Sequence, residues 1–310
     1  MLAIKILPIL QVSVDTMAIT ALPLSYWLKE RLKSWVQLSG HEGTIVPATD
    51  RTLWKRKSCN DSNEATAYRR LMDDPCLEGF VPRFYKELEY KDETFIEIED
   101  LTSQFNSPVI MDIKMGTRTF SESEAKNAVK RNDLYEKMIE LNPDEPTNEE
   151  NNEKAITKLR YMQFREAQSS TTSFGFRIEA AKMPGGILQK NFKKIKSRTD
   201  IAKTLWAFFG ENLAISNQFL WRLCQFRQAA EESAFFREYE SLLLQIIGSS
   251  LLLMYDSKRV GAWMIDFAKS VPVKDQKISH REKWILGNHE DGYLTGLDNL
   301  ISVSLFTSDL

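Results

Sequence analysis

The segment that decides the fold is SPVIMDIKMG, at residues 107–116. Its run Val109–Met111 provides an apolar anchor between a proline that opens the segment and a glycine that ends it. Successive side chains of an extended chain point to opposite faces, so Asp112 and Lys114 share one face. A carboxylate there can accept a hydroxyl proton or bind a ribose, and an ammonium group can neutralise a phosphoryl group in transfer. A surface ion pair is the alternative, because an isolated D-x-K pattern has little specificity.

A second candidate site lies where two apolar, β-prone stretches, Ser250 to Tyr255 and Ala262 to Phe267, flank the turn-like residues 256–259. This pattern predicts a β-hairpin. Asp266 stands at the end of the second stretch, and burial of a carboxylate is costly unless it meets a cation. Magnesium is the natural cation, since it takes few protein oxygens and leaves positions for phosphate and water, and the hydroxyl of Ser250 can join the same shell. A hydrogen-bonded structural aspartate is the alternative.

A third candidate is Lys55, in the segment RTLWKRK of a predicted strand. A strand lysine that faces a cleft can bind nucleotide phosphates, and a carboxylate from a helix, such as that of Glu64, can position it. Because Arg56 and Lys57 follow directly, an exposed basic patch is an equally good interpretation.

Composition excludes several classes of protein. The chain has 310 residues, 43% of them hydrophobic, with 41 Lys+Arg against 43 Asp+Glu and a net charge of −2, which is typical of a soluble globular protein. A chain with balanced charges produces no overall positive electrostatic field that would attract nucleic acid, so we expect no nucleic-acid partner. The three cysteines form no CxxC pair, which argues against a disulfide framework or a zinc site. We therefore expect a reducing compartment, with the cytoplasm as the location.

Charge is unevenly distributed along the chain. Between Lys154 and Arg198 there are eleven Lys and Arg residues but only two acidic residues, Glu166 and Glu179. Aromatic residues are interspersed among these cations. A solvated basic face and a binding site for an anionic ligand are both consistent with this pattern.

The order of predicted elements indicates an α+β fold, with a small β-rich lobe at 44–101 and a larger C-terminal lobe at 102–310. Short apolar stretches separated by turn residues predict the strands of the first lobe, and one helix interrupts them. Helices are predicted at 63–72, 121–140, 199–248 and 292–306, and an exposed loop is predicted at the acidic segment 142–153.

The N-terminus has two predicted parts. Residues 1–25 form an apolar extension, but its apolar runs are shorter than a spanning helix needs, so a membrane role is not expected. Residues 26–43 begin with a basic amphipathic stretch, YWLKERLKSWVQ. This stretch is either a helix packed on the body of the protein or a target for calcium–calmodulin.

Three motifs occur in order: P-x-x-x-D-x-K-x-G at 108–116, S-S-L-L at 249–252 and I-D-F at 265–267. Together they resemble the inositol polyphosphate kinase family. Four further stretches resemble its inositol 1,4,5-trisphosphate 3-kinase branch: WVQLSGHEG (35–43), TKLRYMQFRE (157–166), FGFRIE (174–179) and GNHEDGYLTGLDNLI (287–301).

The resemblance implies a two-lobed, protein-kinase-like ATP-grasp fold with a helical insertion, at about 121–198, over the inositol phosphate site. It also implies transfer of the γ-phosphoryl group of ATP to the 3-hydroxyl of inositol 1,4,5-trisphosphate, giving the 1,3,4,5-tetrakisphosphate, with Mg²⁺ as the metal.

The resemblance further implies roles for individual residues. The nucleotide would be bound by Lys55, with Glu64 beside it, by a hinge at Glu99, Asp100 and Leu101, and by Asp112 and Asp266. Asp112 and Lys114 would be catalytic, and Asp266 and Ser250 would serve the metal. The residues implied for the substrate phosphates are Lys114, Arg131, Lys158, Tyr161, Arg165 and Lys182.

Two alternatives to this activity remain open at this stage. One is a sister activity, that of an inositol polyphosphate multikinase or a hexakisphosphate kinase. The long cationic insertion argues against it, because a substrate site that is enclosed by an insertion admits fewer substrates. The other is a catalytically idle adaptor that binds inositol phosphate or calmodulin.

Overall fold

The structure is a computed structural model that describes residues 44–57, 63–90, 92–237, 243–273 and 277–306. The predictions for residues 1–25 and 26–43, including the candidate calmodulin-binding stretch, lie outside these ranges.

A four-stranded antiparallel sheet forms the first part of the described chain. It contains β1 (Ile45–Pro47), β2 (Thr52–Arg56), β3 (Phe84–Tyr90) and β4 (Glu93–Glu99), in the spatial order β1-β2-β4-β3. Helix α1 (Glu64–Asp73) follows β2 and carries apolar residues at helical spacing, so it buries Tyr68 and Leu71. The Tyr68 ring meets the ring of Phe267 edge-on at 4.9 Å between centroids, which joins this helix to the segment after Asp266.

A five-stranded antiparallel sheet forms the centre of the second part. It contains β5 (Val109–Met115), β8 (Phe176–Lys182), β9 (Leu188–Gln189), β11 (Ser250–Tyr255) and β12 (Val260–Ile265), in the order β12-β11-β5-β8-β9. The segment SPVIMDIKMG therefore contains the middle strand, β5. Strands β11 and β12 form the predicted hairpin, which is confirmed.

The other elements surround this sheet. Two short two-stranded ribbons pair β6 (Lys130–Arg131) with β7 (Ile156–Thr157) and β10 (Leu243–Gln245) with β13 (Val271–Val273). The remaining α-helices are α2 (Glu122–Lys126), α3 (Asn132–Leu141), α4 (Asn148–Glu153), α5 (Lys158–Ala167), α6 (Thr171–Phe174), α7 (Arg198–Phe208), α8 (Leu213–Glu232), α9 (Ala234–Arg237) and α10 (Tyr293–Phe306). Within the described ranges, none of the helices has both the length and the apolar character required to cross a bilayer.

Aromatic residues at three- and four-residue steps of the helices build much of the core. Helix α8 buries Phe219, Leu223 and Phe226 completely, and Phe208 and Phe209 at the end of α7 pack against the first of these. The helix predicted at 292–306 is confirmed by α10, which spans Tyr293–Phe306.

Three of the predicted segments are wrong in part. The acidic segment 142–153 was predicted as a loop, but it contains α4, which begins at a capping box between Thr147 and Glu150. The stretch 199–248 was predicted as helical throughout, but it breaks at Gly210 and Glu211, which both have positive φ. It breaks again after α8 and ends in strand β10. The predicted helix at 121–140 is likewise divided into α2 and α3 by strand β6.

Candidate functional site

Strand β5 places the two predicted catalytic residues on one face. Asp112 is 2% exposed and lies opposite Leu252 of β11 and Ala180 of β8. Lys114 lies opposite Ser250 of β11, and its Nζ is 3.8 Å from Oδ2 of Asp266. The middle strand of the sheet thus carries an acid and an ammonium group on one face, with Lys114 level with the end of β12.

Lys55 joins the two sheets. Its Nζ donates to Oε1 of Glu64 at 2.6 Å and to Oδ1 of Asp266 at 2.8 Å. Glu64 is fully buried, and its Oε1 also accepts the backbone N–H of Phe267 at 3.2 Å. Burial by itself would lower the pKa of Lys55, but the charges of Asp266 and Glu64 outweigh it and raise the pKa, so the ammonium form is stable.

Asp266 lies at the centre of this cluster. It directly follows β12 and has a φ of 65°, a left-handed conformation that costs a non-glycine residue about 1–3 kcal/mol. Burial would raise the pKa of its carboxyl group, but the ammonium groups of Lys55 and then Lys114 lower it. The side chain keeps 40% of its surface exposed, so an ionised carboxylate faces the open side of the cluster.

Ser250 lies beside the same cluster. It is 2% exposed, and on neighbouring strands its Cα pairs with those of Lys114 and Ile265. The register of the hairpin therefore places Ser250 next to Ile265, the residue that precedes Asp266.

The predicted hinge connects the two sheets. Strand β4 ends at Glu99, whose carboxylate accepts the backbone N–H of Arg83 and the side-chain amide of Gln104. Asp100 is fully buried and caps the short 3₁₀ turn that follows by accepting the N–H of Thr102 at 2.9 Å. Leu101 is buried against side chains of β5, β11 and β12. The three residues thus lie between the sheets, with their own side chains engaged in holding the turn.

The insertion, at about 121–198, carries five of the predicted substrate residues, and four of them lie on α5 or the ribbon β6–β7. The ribbon β6–β7 pairs Arg131 with Ile156, two residues before Lys158 at the start of α5. Arg131 forms a two-point contact with Asp133, at 2.9 and 2.7 Å. Lys158 is paired with Glu124 at 2.6 Å.

On α5, Tyr161 and Arg165 stand one turn apart on the same face. Nη1 of Arg165 donates to the Tyr161 hydroxyl at 3.1 Å, and its guanidinium carbon lies 5.9 Å from the centre of the Tyr161 ring. Stacking on the ring restricts the guanidinium group, which suits it to contact an anion with two N–H groups.

Lys182 lies at the opposite end of the β5–β8 pairing from Lys114. It lies at the end of β8 opposite Ile110, whereas Lys114 at the far end of β5 faces Arg177. Lys182 therefore lies near the hinge end of the sheet, and the register does not bring it to Lys114.

Two charged residues near the site were not predicted. Glu124 on α2 contacts both Lys158 and Lys269, and Lys269 follows Asp266 by three residues. The only signal in the sequence was the S-E-S-E pattern at 121–124, which predicts a capped helix start rather than a site.

Known proteins resemble this chain over most of its length. The sequence profile described as inositol polyphosphate kinase matches residues 95–304. An inositol-trisphosphate 3-kinase homolog of Caenorhabditis elegans is 56% identical over 298 residues, covering 94% of this chain and 59% of the relative. Inositol-trisphosphate 3-kinase A of Rattus norvegicus is 42% identical over 289 residues, covering 91% of this chain and 61% of the relative. The chain thus spans less than two thirds of the length of these relatives.

A solved structure has the same fold. The crystal structure of the S. cerevisiae inositol phosphate multikinase Ipk2, in complex with ADP and Mn²⁺, superposes with a TM-score of 0.53 at 16% identity, covering 83% of this chain and 98% of that one. The α+β, kinase-like fold expected from the sequence is therefore confirmed. The profile match covers more than half of the chain, and with the two relatives it shows that the chain belongs to the inositol polyphosphate kinase family.

Proposed function

We propose that this chain is an ATP-dependent kinase that phosphorylates the 3-hydroxyl of inositol 1,4,5-trisphosphate. The observation that carries the proposal is the continuous ion-pair cluster of Lys55, Glu64, Asp266 and Lys114, with Asp112 two residues before Lys114 on the same strand. The names of the relatives support the choice of substrate, and the cations of the insertion support a ligand with several phosphates.

Each residue of the cluster has a chemical role in this proposal. Lys55, fixed by Glu64, binds phosphate oxygens of ATP, and the hinge at Glu99 to Leu101 receives the adenine. Asp112 contacts the ribose and accepts the proton of the attacking hydroxyl, while Lys114 neutralises charge that develops on the γ-phosphoryl group. Because both side chains belong to one strand, the distance between base and cation is fixed before either substrate binds.

Asp266 and Ser250 are the residues that would hold magnesium. The donor set fits this ion, because the exposed Asp266 carboxylate and a hydroxyl are hard oxygen ligands. In the part of the chain that the structure describes, there is no group of three or more His, Cys, Asp or Glu residues suited to a metal. That scarcity also fits magnesium, which keeps positions for phosphate oxygens and water. When bound, the ion would neutralise charge on the phosphates of ATP.

Arg131, Lys158, Tyr161 and Arg165 are proposed to bind the phosphates of the inositol ring, with Lys182 as a further candidate. Discrimination among hydroxyl positions needs a fixed cation at each phosphate, and the insertion provides these cations on α5 and at the ribbon β6–β7. In this proposal residues 44–101 form the small β-rich lobe, and residues 102–310 form the C-terminal lobe, which includes the insertion at about 121–198.

Regulation by calcium–calmodulin through residues 26–43 and a cytoplasmic location are also part of the proposal. The basic amphipathic sequence of this stretch supports the first, and the balanced soluble composition supports the second. Titration of the purified chain with calcium–calmodulin tests the regulation: neither binding nor a change in rate would remove it.

The decisive experiment offers the purified chain a panel of inositol phosphates with ATP and Mg²⁺, and locates the new phosphate on the product ring by NMR. We expect the 1,3,4,5-tetrakisphosphate from the 1,4,5-trisphosphate. Product from the hexakisphosphate and none from the trisphosphate would favour the sister activity. Binding of the trisphosphate without release of ADP would favour an idle adaptor.

A further inference from the structure

Glu124 lies where the insertion meets the loop that follows Asp266. Its Oε1 is 2.6 Å from Nζ of Lys158, and its Oε2 is 3.2 Å from Nζ of Lys269. Its Oε2 also accepts the backbone N–H of Ser121 at 2.8 Å. One carboxylate therefore holds two ammonium groups from two separate parts of the fold.

Glu124 remains ionised at any working pH. Burial would raise its pKa, but the hydrogen bond from Lys158, the N–H of Ser121 and the charge of Lys269 lower the pKa to about 2. Only 20% of the side chain is exposed, so solvent screens these contacts less than those of a surface pair.

Lys158 benefits most from this contact. It is the first residue of α5, where the positive end of the helix dipole disfavours a second positive charge. A long lysine side chain also has many rotamers, and fixing them costs conformational entropy on binding. A carboxylate at 2.6 Å offsets the repulsion and restricts the rotamers in advance.

The geometry leaves both lysines able to bind another anion. An ammonium group has three N–H donors. Glu124 takes one donor of Lys158, and Glu124 with the carbonyl of Thr119 takes two donors of Lys269.

We propose that Glu124 is a positioning residue, which holds the ammonium groups of Lys158 and Lys269 ready for the phosphates of the substrate. This role rests on the proposed function, because Lys158 is one of its substrate residues. Glu124 itself touches neither substrate, and it acts through the lysines.

The test compares the steady-state kinetics of the wild type and Glu124→Gln. Glutamine keeps the size of the side chain and an acceptor for the Ser121 N–H, but it loses the charge that holds the lysines. We expect the KM for the inositol trisphosphate to rise about 10-fold. The KM for ATP and kcat should stay within about 2-fold, since the nucleotide cluster is unchanged. An unchanged KM for the trisphosphate, or an equal rise in both KM values, would overturn the role.

Two control variants separate positioning from general stability. Glu145→Gln removes the same charge from the same insertion, but Glu145 pairs with Arg160, which is outside the substrate set. Ser121→Ala removes the hydroxyl that caps α2 and leaves the carboxylate of Glu124 intact. Both should lower Tm without changing the KM for the trisphosphate. A KM rise in either control that equals that of Glu124→Gln would assign the effect to folding and overturn the role.

A double-mutant cycle with Lys158→Met tests the route of action. If Glu124 acts through Lys158, its replacement in the Lys158→Met background should raise the KM by less than about 3-fold further. Full additivity of the two changes would contradict the proposal. Should Glu124→Gln not fold, Glu124→Asp serves instead, because it keeps the charge but retracts it by one methylene. A KM rise of about 3-fold would support the role, and no rise would overturn it.

The wild type is assayed first, so the two proposals fail separately. No turnover of the trisphosphate by the wild type rejects the proposed function, and the positioning role falls with it. Wild-type turnover with an unchanged KM in Glu124→Gln rejects the positioning role alone.

Discussion

At the scale of single residues, Lys55 and Glu64 show how one contact serves both stability and chemistry. Glu64 is fully buried, and the ammonium group of Lys55 lies 2.6 Å from its Oε1. Lys55→Met should lower the free energy of unfolding by about 3–5 kcal/mol, because it leaves a buried carboxylate without its cation. Urea denaturation followed by circular dichroism measures this loss.

The variant Lys55→Met/Glu64→Gln separates the two roles. Removing the buried charge as well should recover most of the lost stability, but both variants should use ATP poorly, since the ammonium group assigned to its phosphate oxygens is absent from each. Recovery of turnover in this double variant would contradict the assignment of Lys55 to the nucleotide. A single variant as stable as the wild type would contradict the burial argument.

Asp291 gives a prediction on pH. Burial would raise its pKa, but His280 beside it, at 2.9 Å, and the backbone N–H groups of Ile246 and Tyr293 lower it. A depressed pKa in the folded state means that the stabilisation is present above the unfolded pKa of about 3.9 and is lost as the pH falls through the folded pKa. Between pH 5 and pH 3, the wild type should therefore lose more Tm than Asp291→Asn does. Parallel Tm curves for the two proteins would exclude this contribution.

The sequence allowed prediction of residues whose position depends on a strand. Asp112 and Lys114 share a face because side chains alternate along β5, and an apolar run locates Asp266 at the end of β12. Glu124 was missed for a physical reason. A charged residue in a short polar helix is usually solvated, and only the tertiary fold brings Lys158 and Lys269 to it.

At the scale of elements, strong hydrophobic periodicity was the reliable signal. It predicted the hairpin β11–β12 and the helix α10, which both bury a full face. The segments predicted wrongly are those where short-range contacts decide the structure. Helix α4 buries no residue and depends on its capping box, and the ribbon β6–β7 has two residues in each strand. A helix of six residues and strands of two residues are too short for a hydrophobic period to be recognised in the sequence.

The packing of α10 on the turn after α6 gives a test at this scale. A Cβ atom on Gly296 would lie 2.0 Å from the carbonyl oxygen of Gly175, and backbone cannot move aside as a side chain does. Gly296→Ala should therefore lower the free energy of unfolding by about 1–3 kcal/mol. This loss exceeds the gain of about 1 kcal/mol in helix propensity that alanine brings.

Gly185→Ala is the matched control for this clash. Gly185 has a φ of 82°, and a Cβ there would meet no atom within 4 Å. Its cost is confined to backbone strain, about 1 kcal/mol. Equal losses in the two variants, measured by urea denaturation, would show that crowding at Gly175 has little effect.

At the scale of the whole molecule, the proposed sites for the two substrates are built from different parts of the chain. The nucleotide cluster joins α1 and β2 to the end of β12, whereas the inositol phosphate residues lie mainly on the insertion at α5 and the ribbon β6–β7. Strand β5, which carries Asp112 and Lys114, is the element common to both. Changes within one part should therefore alter the KM of one substrate and leave the other unchanged.

Arg165→Met tests this separation. The change removes a guanidinium group that is held on the ring of Tyr161, so we expect the KM for the inositol trisphosphate to rise about 10- to 150-fold, equivalent to about 1.5–3 kcal/mol. The KM for ATP should stay within about 2-fold. Arg160→Met is the control, because Arg160 lies on the same helix but is held by Glu145 and Glu150. It should lower Tm and leave both KM values unchanged. A parallel rise in the KM for ATP in Arg165→Met would mean that the two sites are coupled, and the division of the molecule into two substrate halves would then be wrong.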